Sequence, residues 1–306
     1  MRNAFIKALT EAAIHDKRIV FLTADLGYKL FDDFARKCPG RFFNVGVAEA
    51  NMAGVASGLA LEGKKVFIYS IVPFATLRCY EQIRNDIAYH QADVTVVGVG
   101  GGYSYGHNGP THHALEDIGV LRLLPNMTVL CPGDPAETEA AVRALVRNRG
   151  PAYLRLGRAG EPAVHPGPID LEIGRGITVR EGRDLAVLTT GNMLATAQQA
   201  CALLEARGVS ARLVSMPSVK PLDAALVAQL AREVGRIATV EEHSKLGGLG
   251  GAVAEVVAEL GLAVKFRRFG AEDAFSHICG DQAFHRRANG IDAPALALAL
   301  EQLARA

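Results

Sequence analysis

KKVFIYSIVPFATLRCYEQIRNDIAYHQADVTVVGVG, residues 64–100, is the stretch whose reading decides the fold. KKVFIYS (64–70) and DVTVVGVG (93–100) are β-branched, strand-length runs, and a helical pattern fills 75–89 between them. Strand, helix and strand in that order call for a parallel sheet covered by helices on its faces. The alternation extends in both directions. RIVFLTAD (18–25), MTVLCP (127–132) and AYLRL (152–156) read as buried strands, with helices at about 3–14, 48–61 and 135–148. The last of these follows Asp134-Pro135, an N-cap with proline at the first helical position.

The segment GRAGEPAVHPGPIDLEIG (157–174) is rich in proline and glycine and has no helical stripe, so it reads as a linker. Beyond it the pattern resumes with strands at 176–181, 184–191, 211–216, 236–242 and 263–270, and helices near 193–207, 222–234, 249–260 and 293–305. The expected fold class is α/β with two doubly wound domains, residues 1–158 and a smaller 174–306, joined through 159–173. A chain of 306 residues fits this, at roughly 100–200 residues per domain.

Composition excludes several classes. Hydrophobic residues at 49% and charged residues at 21% describe an ordinary globular chain, not a disordered one. With 33 Lys+Arg against 32 Asp+Glu, no basic excess points to nucleic acid or an anionic membrane. The five cysteines are widely spaced, form no C-x-x-C pair, and suit a reducing compartment. Residues 1–17 carry a broken amphipathic stripe and not a signal peptide, and no run reaches the ~18–20 apolar residues of a membrane span. A cytoplasmic location is expected.

Three segments carry chemistry. FFNVGVAEANMAG (42–54) runs from a strand into a helix and places Glu49 in the first turn. An isolated glutamate there is ordinarily a carboxylate favoured by the helix dipole. Its neighbours Val45, Val47, Ala48, Ala50, Met52 and Ala53 are apolar or small, which predicts a pocket that raises the carboxyl pKa and lets it share a proton with a ligand nitrogen. SIVPFATLRCYEQIRND (70–86) sets Phe74 where strand gives way to helix, a place where an aromatic is usually core. GVGGGYSYGHNGPTHHALED (98–117) fails the dinucleotide fingerprint and the P-loop pattern. Its histidines do not form a metal site, since adjacent residues on a helix diverge by about a hundred degrees. It reads as a polar catalytic loop. His243, in VEEHSKLGG, reads as a structural loop histidine, and residues 173–306 show no distinct pocket.

Together these segments resemble the C-terminal half of transketolase, its pyrimidine-binding domain followed by its C-terminal domain, over essentially the whole chain. GVAEANM, YS-x-x-x-F before a helix, and GHNGPTHHALED occur in the family's order and spacing, and the nearest resemblance is to split transketolases, whose halves are separate polypeptides. 1-Deoxyxylulose-5-phosphate synthase and the beta subunits of 2-oxo-acid dehydrogenases share the layout. The resemblance implies thiamine diphosphate, with Glu49 on the pyrimidine N1′, Phe74 stacked on the pyrimidine, Ile71 in the pyrimidine pocket and Asp25 near the thiazolium. It implies His112 on the transferred ketol's oxygen, Asn108 on a substrate hydroxyl, and Arg2, Lys29 and Arg158 on a sugar phosphate.

Departures from the family pattern concern the sugar. Asn108 replaces an aspartate, Gly100 stands where a histidine would contact substrate, Lys29 replaces a serine and Ile71 replaces an aromatic. The family holds the diphosphate and Mg²⁺ with a G-D-G motif and an Asn roughly thirty residues on. Here Gly133-Asp134 continues with Pro135 and Gly280-Asp281 with Gln282, and no Asn follows at that distance. The resemblance therefore implies that an N-terminal partner subunit holds Mg²⁺ in an octahedral oxygen site, and that the active site lies between subunits of a two-plus-two heterotetramer containing a homodimer of this chain. The expected activity is transfer of a two-carbon ketol unit between sugar phosphates, in central pentose metabolism or in a specialised sugar or natural-product pathway. The alternatives are a 2-oxo-acid dehydrogenase beta subunit, against which Arg2, Lys29 and the G-P-T-H loop speak, and a non-catalytic regulatory subunit, against which a retained buried acid at 49 speaks.

Overall fold

The computed structural model describes residues 1–261 and 263–306. Two α/β layers emerge from the alternating pattern. The first sheet has seven strands in the order β10-β5-β6-β4-β3-β1-β2. They are β1 (Ile19–Thr23), β2 (Phe42–Asn44), β3 (Lys65–Ile71), β4 (Val94–Val99), β5 (Thr128–Leu130), β6 (Ala152–Leu156) and β10 (Ser218–Lys220). The second has five, in the order β12-β11-β8-β9-β7: β7 (Ile177–Arg180), β8 (Leu185–Thr189), β9 (Ala211–Ser215), β11 (Arg236–Ser244) and β12 (Lys265–Ala271). All residues of β1, β4, β6 and β8 are buried, as continuous β-branched runs covered on both faces must be.

Helices α1 (Arg2–His15), α2 (Asp32–Lys37) and α7 (Pro135–Arg147) cover one face of the first sheet, over a core containing Phe5, Phe21, Phe34, Phe67 and Tyr69. The opposite face packs Met52, Ala53 and Ala56 of α3 (Glu49–Leu61), Ala75 of α4 (Val72–Thr76), Ile83 and Ile87 of the segment after α5 (Tyr80–Gln82), and Ile118 and Leu121 of α6 (Asp117–Arg122). α8 (Leu194–Glu205) and α12 (Ala293–Arg305) share one core on the second sheet. α9 (Ala224–Glu233) and α10 (Leu249–Glu259) share the other, and α11 (Gln282–Ala288) faces the first sheet's loops. Asp134, Asp223 and Asp281 cap α7, α9 and α11 by accepting a backbone N–H three residues on.

Three expectations are corrected. The helix expected over 75–89 is broken: α4 stops at Thr76, Cys79 leaves helical geometry (φ −113°, ψ 27°), and Ile83–Tyr89 continues in wider π-type turns. The Cys79 thiol turns back onto the Ala75 carbonyl at 3.0 Å instead of facing outward. The sheets are mixed, because β7 runs antiparallel to β9 and β10 antiparallel to β5. β10 comes from the second half of the chain yet closes the first sheet. Its three residues lie between Pro217 and Pro221, a stretch in which the sequence predicts no element. His243 has internal partners, as a structural histidine would, but it is not in a loop: it is the next-to-last residue of strand β11, fully buried, with Nδ1 bonded to the Ser244 carbonyl and Nε2 accepting the Gly119 N–H.

A buried polar seam joins the two layers. Arg155 of β6 donates to Asp117 through Nε at 2.8 Å, and through Nη2 to the carbonyls of Ala114 (2.7 Å) and Glu242 (3.0 Å). The Tyr153 hydroxyl adds a 2.6 Å bond to the same aspartate. Burial beside that carboxylate pushes the Tyr153 phenol well up. Among the described residues no helix is long and apolar enough to cross a membrane, and all five cysteines are free thiols.

Candidate active site

Parallel strands present their C-terminal ends along one sheet edge, and the residues singled out in the sequence lie just beyond those ends. Asp25 follows β1, Glu49 follows β2, Phe74 follows β3, the loop from Gly100 follows β4, and Arg158 follows β6. Sequence order alone scatters them over more than a hundred positions; the parallel register gathers them.

Glu49 opens α3 and is 2% exposed. Its carboxylate does not sit in a purely apolar pocket. Oε1 accepts the Ser70 hydroxyl at 3.0 Å and Oε2 accepts Nη1 of Arg78 at 2.8 Å. Val47, expected among the pocket residues, is exposed instead. The Arg78 guanidinium also lies over the Phe74 ring, 4.3 Å from its centroid, a cation–π arrangement. Arg78 is thus shared between the acid and the aromatic face, and its own side chain is 46% exposed. Burial, reinforced by the Glu49 charge, pushes the neighbouring Cys79 thiol up to about 12, so it stays protonated.

Phe74 links this pair to the loop. Its ring meets His112 edge-on at 5.2 Å, and His112 in turn meets Tyr105 at 6.4 Å. Burial, with a smaller effect from His113, lowers the His112 pKa, so the ring is neutral near pH 7 and free to donate or accept. Nδ1 of His112 lies 3.0 Å from the Thr111 hydroxyl. Arg158 places its guanidinium 5.4 Å from the Tyr105 centroid, and both Arg158 and Arg2 act on the Tyr105 phenol. Nε of Arg2 is buried without a partner.

The remaining predicted residues stand apart. Asp25 is exposed in a left-handed conformation (φ 55°) and exchanges two hydrogen bonds with Asn44, at 3.0 and 2.9 Å. Lys29, also left-handed (φ 60°), reaches over the ring of Tyr28. Asn108 is exposed on a short turn, Gly106–Asn108, its N–H bonded to the Tyr105 carbonyl. Ile71 ends β3, half-buried against the core.

The sequence hid the role of the second layer. Glu242, fully buried on β11, accepts the Tyr103 N–H at 2.6 Å, the Gln282 amide at 2.8 Å and the Arg286 guanidinium. His285 stacks on Tyr103 at 4.6 Å, and Asn289 donates to the Tyr103 hydroxyl at 3.2 Å. Residues 173–306 therefore do shape a pocket. Asn192, Thr196, Gln282 and Arg286 line a cavity of roughly 420 Å³ together with Ser104, His107 and Arg158. The sequence does not single out Arg78, although it lies four residues past Phe74, the spacing that neighbours share on a helix face. Glu242, Gln282 and Arg286 had no local signal.

The family profile "Transketolase, pyrimidine binding domain" matches residues 1–160, and "Transketolase, C-terminal domain" matches 174–287. The chain belongs to the transketolase family. An apulose-4-phosphate transketolase subunit from Phocaeicola vulgatus is 41% identical over 260 residues, covering 84% of this chain and 83% of that protein. The 6-deoxy-6-sulfo-D-fructose transketolase subunit SqwH of a Clostridium species is 38% identical over 279 residues, 91% of this chain and 86% of that one. A solved structure described as a split gene transketolase, inactive beta4 tetramer, superposes with a TM-score of 0.92 at 39% identity, covering 99% of this chain and 98% of that one. This transketolase-family chain thus resembles separate subunits along nearly their whole length, and its family implies dependence on thiamine diphosphate.

Proposed function

We propose that this chain is the pyrimidine-binding and C-terminal subunit of a split transketolase that moves a two-carbon ketol unit between sugar phosphates. The observation that carries the reading is the buried carboxylate of Glu49 beside the Phe74 ring and His112, in a chain whose relatives are named as transketolase subunits. The residues suit the family's cofactor: a flat cation already occupies the Phe74 face, and the acid at its edge accepts hydrogen bonds. Glu49, Phe74 and Ile71 would hold the pyrimidine, with Asp25 on the thiazolium side. When bound, the cofactor supplies the nucleophilic carbon for cleaving and forming carbon–carbon bonds.

The chain's own residues orient and select. Glu49 holds a proton against a ring nitrogen, a task that requires Arg78 to release it. Neutral His112 hydrogen-bonds the ketol oxygen, Asn108 a sugar hydroxyl, and Arg2, Lys29 and Arg158 the phosphate. The diphosphate and Mg²⁺ fall to an N-terminal partner subunit, since G-D-G…N is missing from this sequence. Exposed Val47, Val55 and Leu61 around α3 support a further protein surface covering that helix, as in a homodimer within a heterotetramer. We place the protein in the cytoplasm and its domain limits at 1–158 and 174–306, with 159–173 between them.

Co-purification from the native extract, followed by calorimetric titration with thiamine diphosphate and Mg²⁺, tests this. A stoichiometric partner carrying G-D-G…N, cofactor binding only by the pair, and loss of that binding and of ketol transfer in Glu49→Gln are expected. Tight cofactor binding by this chain alone, or an unchanged Glu49→Gln enzyme, refutes it.

A further inference from the structure

We propose that Tyr105 sets which sugar phosphate this site takes, its ring filling the space above Gly100 and its hydroxyl donating to the phosphate between Arg2 and Arg158. This deepens the function proposed above and rests on it. The first observation is steric. A Cβ built on Gly100 would lie 2.1 Å from Cε2 and 2.3 Å from Cδ2 of Tyr105, and Gly100 has φ +88°, where side chains are strained. Position 100 and position 105 are thus a matched pair: the loop aromatic occupies the room that any side chain at 100 would need. A substrate contact offered from the strand end is replaced by one offered from the loop.

The second observation is an unspent donor. Tyr80 gives its hydroxyl to the Val120 carbonyl, Tyr153 to Asp117, and Tyr103 is bonded by Asn289. Among the described residues the hydroxyl of half-buried Tyr105 makes no hydrogen bond, nor does that of buried Tyr69, whose phenol also feels Tyr105 and Arg2. Nε of Arg2, whose charge acts on the Tyr105 phenol, is also buried and unpartnered. A half-buried phenol, an unpartnered guanidinium N–H and the Arg158 guanidinium, both cations acting on that phenol, form a donor set without an acceptor, and a phosphate monoester supplies acceptor oxygens and negative charge together. Burial raises the Tyr105 pKa more than the two arginines lower it, so the phenol keeps its proton and can donate. Glu161, the acid that also acts on this phenol, is bonded to the Met1 amine at 2.8 Å and so is itself paired.

The third observation is placement. The Tyr105 ring is near both Arg158, 5.4 Å from its centroid, and His112, 6.4 Å away, so on the proposed roles it borders both the phosphate end and the reacting end of the sugar. A ring there limits how far a chain can extend between those ends, which makes it a length and shape filter as well as a donor.

The test titrates inorganic phosphate into the full chain by calorimetry. Tyr105→Phe keeps the ring and removes the donor; a bond to a charged group predicts binding weaker by about 10- to 100-fold. Arg158→Gln is expected to weaken it as well. In the complete enzyme Tyr105→Val is expected to change the ratio of kcat/KM between longer and shorter sugar phosphates while leaving the affinity for thiamine diphosphate unchanged. Equal phosphate affinity in Tyr105→Phe overturns the donor role even if Arg158→Gln is impaired, and an unchanged substrate ratio in Tyr105→Val overturns the filter. A wild-type chain that binds no phosphate at millimolar concentration overturns the sugar-phosphate reading itself, and this inference with it.

Discussion

Glu242 offers the sharpest test of how the second layer serves the first. Its side chain is fully buried and is bonded by three donors from different parts of the chain: the Tyr103 N–H (2.6 Å), Gln282 (2.8 Å) and Arg286. Glu242→Ala removes the acceptor and leaves a backbone N–H and a guanidinium facing a cavity. Breaking a buried charged pair costs about 3–5 kcal/mol. The lower figure applies, because Arg286 keeps its bonds to Thr196 (3.0 Å) and the Asn192 carbonyl (3.2 Å). About 3 kcal/mol is a factor of roughly a hundred in an opening equilibrium. Hydrogen exchange is the assay, read at amides that the clasp protects. The Gly102 N–H, bonded to the Ala114 carbonyl, and the Gly106 N–H, bonded to the Tyr103 carbonyl, should exchange about a hundredfold faster. Strands β1 and β3, whose hydrogen bonds lie elsewhere in the sheet, should be unaffected. On the proposed function, KM for the sugar phosphate in the complete enzyme should rise more than kcat falls, because the loop is assigned to position substrate. Glu242→Gln, which keeps an acceptor for Tyr103, should lie between wild type and alanine. Loop exchange within threefold of wild type in Glu242→Ala would refute the idea that the second layer holds the loop.

Three further outcomes are expected. Asp117→Ala should lower stability by about 3–5 kcal/mol in urea denaturation, because Arg155 would remain buried and charged with only carbonyl partners; Asp117→Ala together with Arg155→Met should recover part of that loss. Gly100→Ala should destabilise through its left-handed backbone and through contact with Tyr105, and Tyr105→Ala should relieve only the contact, so a double-mutant cycle should show coupling between the two positions. Acid and alkaline limits should have separate origins. Burial, then His113, lowers the His285 pKa below 6.5, so the unfolded chain takes up the proton first; the stability it contributes is present above about 6.5 and lost as pH falls from there toward the folded value. The hydrogen bond to Glu137 raises His165, so its contribution is present below about 6.5 and lost as pH rises through its folded value. Thermal melts across pH should lose the acid slope in His285→Gln and the alkaline slope in His165→Gln.

Much was written locally. Strand runs such as AYLRL (152–156) and helix signals such as Asp134-Pro135 operate within a few residues, so β6 and α7 are where periodicity and capping put them. Glu49 in the first turn of its helix follows for the same reason. The stretch over 75–89 was less legible, because its apolar spacing suits an α-helix and carries no mark of the break at Cys79. β10 escaped because three residues between prolines have no period to read.

The sequence by itself determined the alternation of strands and helices, the α/β class and the set of polar residues at strand ends, since each depends on side-chain size, branching and spacing along the chain. Which of those residues meet was decided by tertiary structure alone. Glu49 and Arg78 are 29 positions apart, and Tyr103 and Glu242 are 139 apart. Gly100 and Tyr105 are close in sequence, yet their contact depends on how the loop is folded back by the second layer. Hydrogen bonds and ring contacts act over a few ångströms, and only the register of parallel strands and the docking of one sheet against the other bring such pairs within that range.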